Sequence, residues 1–303
     1  MNNAPILLFT YKRLDTLKQT VDALQKNALS ASSDLFVFSD GAKNENDIDL
    51  VTQVREYVQQ INGFKNITYF FSETNKGLAS SIISGVSNVL KTHNSVIVLE
   101  DDLVVTPNFL DFMNKALDEY VSANQVFSIS GYSFDLSPSV KQTDDAYFLT
   151  RGWSWGWATW KDRWDNVDWD VKDYHEFEKD PKQKKAFNKG GSDLSSMLQK
   201  QMTNNLDSWG IRWVYHQFKV KGLTLYPRFS KVLNIGFDSR ATHTTGSGTR
   251  YIPKLDADLK EIFVFPKKIE VSEQYQRAFQ FKMGIVLRIG SKLASIGKKL
   301  LKK

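Results

Sequence analysis

Over the first 130 residues, short apolar runs alternate with segments whose apolar residues recur every three or four positions. Ile6-Leu7-Leu8-Phe9, behind Pro5, predicts a strand, and Leu14, Leu17, Val21 and Leu24 predict a helix over 13–27. Leu35-Phe36-Val37-Phe38 predicts the next strand, closed by the turn signal Ser39-Asp40-Gly41. A helix over 47–61, a strand over 67–71, a helix over 77–91 and a strand over 95–99 follow. Thr106-Pro107 predicts a helix through Tyr120, with threonine as cap and proline at its first position, before a strand at 126–129. This alternation predicts an α/β fold, a mainly parallel sheet flanked by helices. No GxGxxG follows the first strand, which argues against a dinucleotide dehydrogenase.

The strand at 95–99 runs directly into Glu100-Asp101-Asp102. Three consecutive carboxylates at the carboxyl edge of a sheet repel one another unless a cation joins them. A hard divalent ion, Mg²⁺ or Mn²⁺, suits such ligands and fills its other positions with phosphate oxygens and water. A solvated acidic turn is the alternative.

Composition narrows the class without naming a function. The 303 residues are 41% hydrophobic and 24% charged, ordinary for a folded domain, and the absence of cysteine leaves catalysis to oxygen and nitrogen groups. No run of apolar residues is long enough to span a bilayer and no leader pattern opens the chain, so a cytoplasmic protein is expected. The net charge of +6 comes from the end of the chain: Lys282 to Lys303 holds seven basic residues and no acidic one, and the rest is nearly neutral. That distribution disfavours nucleic acid as a partner. Phe281, Ile285, Ile289, Leu293, Ile296 and Leu300 recur at helical spacing in the same stretch, predicting a basic amphipathic helix that lies on an anionic membrane surface, or packs on its own domain.

Four segments in order, Pro5 to Arg13, Phe38 to Gly41, Glu73-Thr74-Asn75-Lys76-Gly77-Leu78 and Val98 to Leu103, resemble nucleotide-sugar glycosyltransferases of the GT-A fold. The likeness is to bacterial family-2-like enzymes and to the animal N-acetylglucosaminyltransferase that initiates complex N-glycans, and it runs from Pro5 to about Gly246. It implies that Thr10, Arg13 and Asp40 hold the nucleotide, with Asp40 accepting from uracil and Arg13 pairing with phosphate. Asn75, Lys76 and Gly77 would present helix-terminal amides to an anion, Asp102 would bind the metal, and Glu100 and Asp101 would contact ribose, sugar hydroxyls or metal-bound water.

Downstream, six of the eight tryptophans fall between Arg151 and Trp169. Broad indole faces suit the C–H faces of sugars, and the resemblance places Trp155, Gly156 and Trp157 beside the donor sugar and acceptor; core packing is the alternative. Asp207 is the candidate base that takes the acceptor's proton in an inverting transfer, or else a helix cap. In the loop from His243 to Arg250, His243 would join the metal and Arg250 would offset phosphate charge.

The resulting expectation is a GT-A domain over 1–265, with a nucleotide-binding half at 1–130 and an acceptor half at 131–265, followed by a basic helical tail over 266–303. Its implied reaction is Mn²⁺- or Mg²⁺-dependent transfer from a UDP-sugar to a lipid-linked or growing bacterial glycan, on the inner face of the membrane. A sugar nucleotidyltransferase is disfavoured by the lack of glycine in Thr10 to Leu14, and a non-catalytic polyanion- or membrane-binding protein by the neutral body. Donor sugar, acceptor, linkage, inversion as against retention, and oligomeric state are not encoded in any of these patterns.

Overall fold

The computed structural model describes residues 3–136, 143–237, 251–285 and 287. The first half alternates as expected: β1 (Ile6–Thr10), α1 (Leu14–Gln25), β2 (Asp34–Ser39), α2 (Glu45–Val58), β3 (Asn66–Phe71), α3 (Leu78–Val89) and β4 (Ser95–Glu100). Then come β5 (Leu103–Val105), α4 (Phe109–Glu119), β6 (Val126–Ser130), β7 (Ala146–Leu149), β8 (Trp157–Trp160) and α5 (Lys161–Asp165). The remainder holds α6 (Tyr174–Lys179), α7 (Pro181–Phe187), α8 (Leu194–Met202), α9 (Trp209–Lys219), β9 (Leu223–Pro227), β10 (Val232–Asn234) and α10 (Glu273–Lys282).

Eight strands form one sheet in the order β3-β2-β1-β4-β8-β6-β9-β7, while β5 and β10 pair separately. The β3-β2-β1-β4 side is parallel throughout. β8 runs antiparallel between β4 and β6, and β9 is parallel to β6 but antiparallel to β7. This is a mixed α/β architecture with a largely parallel centre, consistent with the GT-A fold.

Strand periodicity sorts the apolar residues onto two faces. Ile6, Leu8, Leu35, Val37, Ile97 and Leu99 face a core completed by α1, α2 and α4, whereas Leu7, Phe9, Val96 and Val98 face one completed by α3 and α9. Each Leu or Val so buried stabilises the fold by about 1.5–3 kcal/mol relative to exposure. On the second face Phe9, Phe38 and Phe70 stack at 4.7 and 4.8 Å, and Gly85 lets α3 close on them, since a Cβ there would lie 2.8 Å from Phe9 Cζ.

Two details differ from the sequence-based expectation. α4 begins at Phe109 rather than at Pro107: Asn108 is at the cap position and its side chain does not cap. The Asn108 amide instead donates to Asp256 at 2.8 Å and to the Lys260 carbonyl at 2.9 Å, and accepts from the Thr106 hydroxyl at 2.8 Å, which ties the 256–260 segment to the helix start.

The second difference concerns the boundary at 265/266. The 264–272 segment binds back to β7 and its lead-in, through Asp145 N–H to the Val264 carbonyl and Ser272 N–H to the Phe148 carbonyl. α10 buries Tyr275 and Phe279, with the Tyr275 ring stacked 3.6 Å from Tyr147. The first half of the expected tail is therefore an integral layer of the domain. The sequence pattern put Phe281 on the apolar face, but Tyr275 and Phe279 seat the helix and Phe281 is exposed; the partners that decide this are distant in sequence. Residues 288–303 lie outside the described residues.

Candidate active site

The carboxyl ends of β1, β2 and β4 lie side by side because those strands are parallel neighbours, Phe9 pairing in register with Phe38 and with Glu100. Open α/β sheets offer their ligand crevice at this edge. Arg13, at the cap position of α1, donates one guanidinium nitrogen to Asp101 at 3.0 Å and to Asp102 at 2.5 Å. The Tyr11 backbone N–H holds the other Asp101 oxygen at 3.1 Å. Both aspartates are largely buried, at 6% and 9% exposure, so the arginine is the cation that the acidic cluster required.

One arginine does not satisfy three carboxyls. Burial, then the charges of Asp102 and Asp101, push the Glu100 carboxyl up to about 8 against the pull of Arg13. Burial likewise pushes Asp101 up to about 6, outweighing Arg13. Arg13 itself is held above its ordinary range, because the two aspartates outweigh the burial that would lower it. Excess negative charge on hard oxygens fits a divalent cation. Among the described residues no three His, Cys, Asp or Glu side chains converge as a ready metal cage. The donor set would therefore suit only an ion that draws most of its ligands from phosphate and water, with Asp102 as the residue that could hold it.

Gly236 closes the other side of Asp102. Asn234 pairs with Leu103 across β5 and β10, and the Ile235 N–H donates to the Asp102 carbonyl at 2.9 Å. A Cβ on Gly236 would stand 2.0 Å from Asp102 Oδ2 and 3.0 Å from an Arg13 nitrogen. Phe237 then stacks on Tyr251 at 5.5 Å, and both rings meet the half-buried Trp155 edge-on at 5.5 Å. Gly156, at φ +61°, takes the turn before β8 and has no room for a side chain beside Val232.

Trp157 departs from its expected place beside the pocket. It is 1% exposed and packs against Trp164, Trp209 and Trp213 at 5.6, 4.9 and 4.5 Å, so its indole is core material. Its strand position explains this: Trp157 points to the α3/α9 face, an orientation that a run of tryptophans does not reveal.

Asp40 also plays a different part from the one expected. Its two oxygens accept from the N–H groups of Gly41 (3.0 Å), Lys76 (2.9 Å) and Gly77 (2.9 Å). Asn75 adds a bond to the Gly41 carbonyl at 2.8 Å. Asp40 thus fastens the 75–77 turn to the end of β2, and most of its capacity is committed before any base arrives. The amides of Lys76 and Gly77 are correspondingly taken. Thr10, buried, donates to the Phe38 carbonyl at 3.3 Å and serves the β1–β2 junction.

Asp207 is exposed at the entrance to α9, and its Oδ2 lies 3.4 Å from where a Cβ of Gly77 would be. The cap of α9 is Ser208, whose hydroxyl accepts from Ile211 N–H at 3.3 Å. Asp207 is therefore not the cap, and its carboxylate faces the same crevice as the 75–77 turn. Half-buried Arg212, one turn on, feels its charge. His243 and Arg250 lie outside the described residues.

Three contributors had no clear signal in the sequence. Buried Asp47 accepts from the Tyr11 hydroxyl at 2.8 Å and from Lys12 at 2.7 Å, fixing the loop after β1. Burial and that bond push the Tyr11 hydroxyl up to about 12. Arg55 spans three carbonyls, of Ser39, Asp40 and Ser72, and braces the ends of β2 and β3. An acidic residue in a helix's first turn and an arginine in its last look like ordinary dipole partners in sequence.

The model for "Glycosyl transferase family 2" matches residues 6–176 of this chain. No curated protein matches the sequence. Among solved structures, the mannosyltransferase PcManGT from Pyrobaculum calidifontis, in complex with GDP-Man and Mn²⁺, is similar at 12% identity and a TM-score of 0.31, over 44% of this chain and 36% of that one. TarS of S. aureus is similar at 12% identity and a TM-score of 0.37, over 55% and 30%. A UDP-glucose pyrophosphorylase complexed with UDP-glucose is similar at 13% identity and a TM-score of 0.39, over 75% and 91%. The match thus spans about a third of the length of the first two of these proteins.

Proposed function

The chain belongs to glycosyl transferase family 2, and from that premise we propose that it transfers a hexosyl or N-acetylhexosaminyl group from a UDP-sugar to a lipid-linked or growing bacterial surface glycan, with inversion. The observation that carries the reading is the Arg13-Asp101-Asp102 corner at the carboxyl edge of β1 and β4; the candidate base Asp207 lies beside Gly77, in the turn that Asp40 fastens to the end of β2. In this reading the acidic corner serves the diphosphate end of the donor and Asp207 serves the acceptor.

In this reading Asp102 would hold Mn²⁺ or Mg²⁺, with His243 as a further ligand and Asp101 beside them. When bound, the ion supplies positive charge against the departing diphosphate. Arg13 keeps both carboxylates oriented, and Arg250 offsets phosphate charge. The Tyr11–Asp47 and Asp40–Gly77 bonds hold the two loops that flank the nucleotide at fixed separation. Trp155, with Phe237 and Tyr251, presents aromatic surface to the sugar. Asp207 accepts the acceptor's hydroxyl proton as the new bond forms opposite the leaving group. The protein works on the cytoplasmic face of the membrane, to which its basic carboxyl-terminal stretch attaches it.

The test is turnover across a panel of nucleotide sugars with Mn²⁺ present or chelated. Ion-dependent release of UDP from one sugar, lost in Asp102→Asn, supports the reading. Ion-independent turnover, or turnover unchanged in Asp102→Asn, overturns it.

A further inference from the structure

We propose that the folded domain itself presents an anionic-lipid docking surface, built from the lysines of α7 and the turn that follows it together with the outer face of α10. The proposal deepens the membrane attachment suggested above, by adding a second contact that sets the orientation of the active site.

α7 and the turn after it carry Lys182, Lys184, Lys185 and Lys189. Lys182, Lys185 and Lys189 are exposed, and among the described residues none of the four forms an ion pair. From Glu176 to Lys189 five lysines stand against three acids, Glu176, Glu178 and Asp180. Asp193 pairs with Arg151 and Glu273 with Arg277. The segment therefore carries a net positive charge.

α10 lies directly against this segment. Gln276 and Gln280, one turn apart, both donate to the Lys189 carbonyl, at 3.0 and 2.9 Å, and the Ser192 hydroxyl donates to the Met283 carbonyl at 2.9 Å. With Tyr275, Phe279 and Met283 turned inward, helical spacing carries Phe281 and Ile285 outward, and they are 75% and 60% exposed. A bulky aromatic and an aliphatic side chain in water, beside lysines that form no ion pair among the described residues, make the pairing of apolar insertion and charge that an anionic bilayer recognises. The chain runs on from this helix through Arg288, Lys292, Lys298, Lys299, Lys302 and Lys303 with no acidic residue, which extends the same sign of charge.

Along the chain, α8 separates the Lys189 turn from the segment that carries Asp207.

The experiment is vesicle co-sedimentation of the full chain, with phosphatidylglycerol/phosphatidylcholine vesicles against phosphatidylcholine alone. Lys182→Gln/Lys185→Gln/Lys189→Gln should lose partitioning by roughly fivefold for each lysine neutralised, and Phe281→Ser/Ile285→Ser should lose it on the same vesicles. Unaltered melting of both variants establishes that they are folded. Parent-level binding by the triple variant overturns the proposal and leaves attachment to residues 288–303. Equal binding to phosphatidylcholine overturns it, as does capture by soluble polyphosphate with no vesicle binding. UDP release from a soluble assay is read separately: if it is absent while the vesicle results hold, the transferase reading fails and the docking surface stands.

Discussion

Gly236 leaves room for the Asp102 carboxylate: a Cβ at 236 would stand 2.0 Å from Asp102 Oδ2, closer than any real contact. The space is therefore reserved for a carboxylate held in one orientation by Arg13. Gly236→Ala must push Asp102 away from the guanidinium or move the strand behind it. The expected outcome is loss of donor turnover by roughly a hundredfold, as for removal of a charge-stabilising group. Wild-type turnover in the alanine variant would show that Asp102 is not needed in this position.

Adjacent residues at the start of α9 separate two roles. Ser208 caps the helix and Asp207 does not. Ser208→Ala should cost about 1 kcal/mol of stability and leave the rate per folded molecule nearly unchanged. Asp207→Asn should leave the melting temperature in place and lower transfer by roughly 10²- to 10⁴-fold, with UDP affinity retained. Titration calorimetry and initial rates on both variants check the division. A reversed pattern assigns proton removal elsewhere.

The parallel half of the fold and its acidic edge were legible because both are local. Strand alternation in Ile6 to Phe9 and Leu35 to Phe38 marks which side chains face which core, and β4 leads straight into the carboxylates. The rest depends on contacts distant in sequence. β8 enters antiparallel between β4 and β6, and that insertion alone turns Trp157 into the core while Trp155 stays half-buried beside Phe237. Asp40 looked like a base reader because its partners, Lys76 and Gly77, come from another strand's end. Phe281 and Tyr275 share one helical segment, yet only the stack of Tyr147 on Tyr275 reveals that this segment belongs to the domain.

Arg13 is the sole cation hydrogen-bonded to Asp101 and Asp102 among the described residues, so two perturbations should act in opposite directions. Arg13→Met leaves largely buried carboxylates without a partner and should destabilise by about 3–5 kcal/mol, the usual consequence of breaking a buried pair. Mn²⁺ at a hundred times its dissociation constant should stabilise the parent by about 2.7 kcal/mol, and this gain should vanish in Asp102→Asn. Thermal melts with and without Mn²⁺ decide both. An arginine variant as stable as the parent would place the compensating charge on another residue.

His216 supplies a pH signature independent of the active site. Burial holds its imidazole below the ordinary 6.5, with the charges of Asp168 and Asp173 pulling weakly the other way. Its Nδ1 accepts from the Asp168 N–H at 3.3 Å, a bond that requires this nitrogen unprotonated. A folded-state value below the unfolded one means that the unfolded chain takes up the proton first as pH falls. The stability contribution is therefore complete above about pH 6.5 and is lost below it, with a slope of at most about 1.4 kcal/mol per pH unit. His216→Gln keeps an acceptor for the Asp168 N–H but cannot protonate, so the difference in unfolding free energy between parent and variant should narrow as pH falls from about 7 to about 5. Urea unfolding at a series of pH values measures that difference, and a pH-independent gap would mean that the imidazole titrates alike in both states.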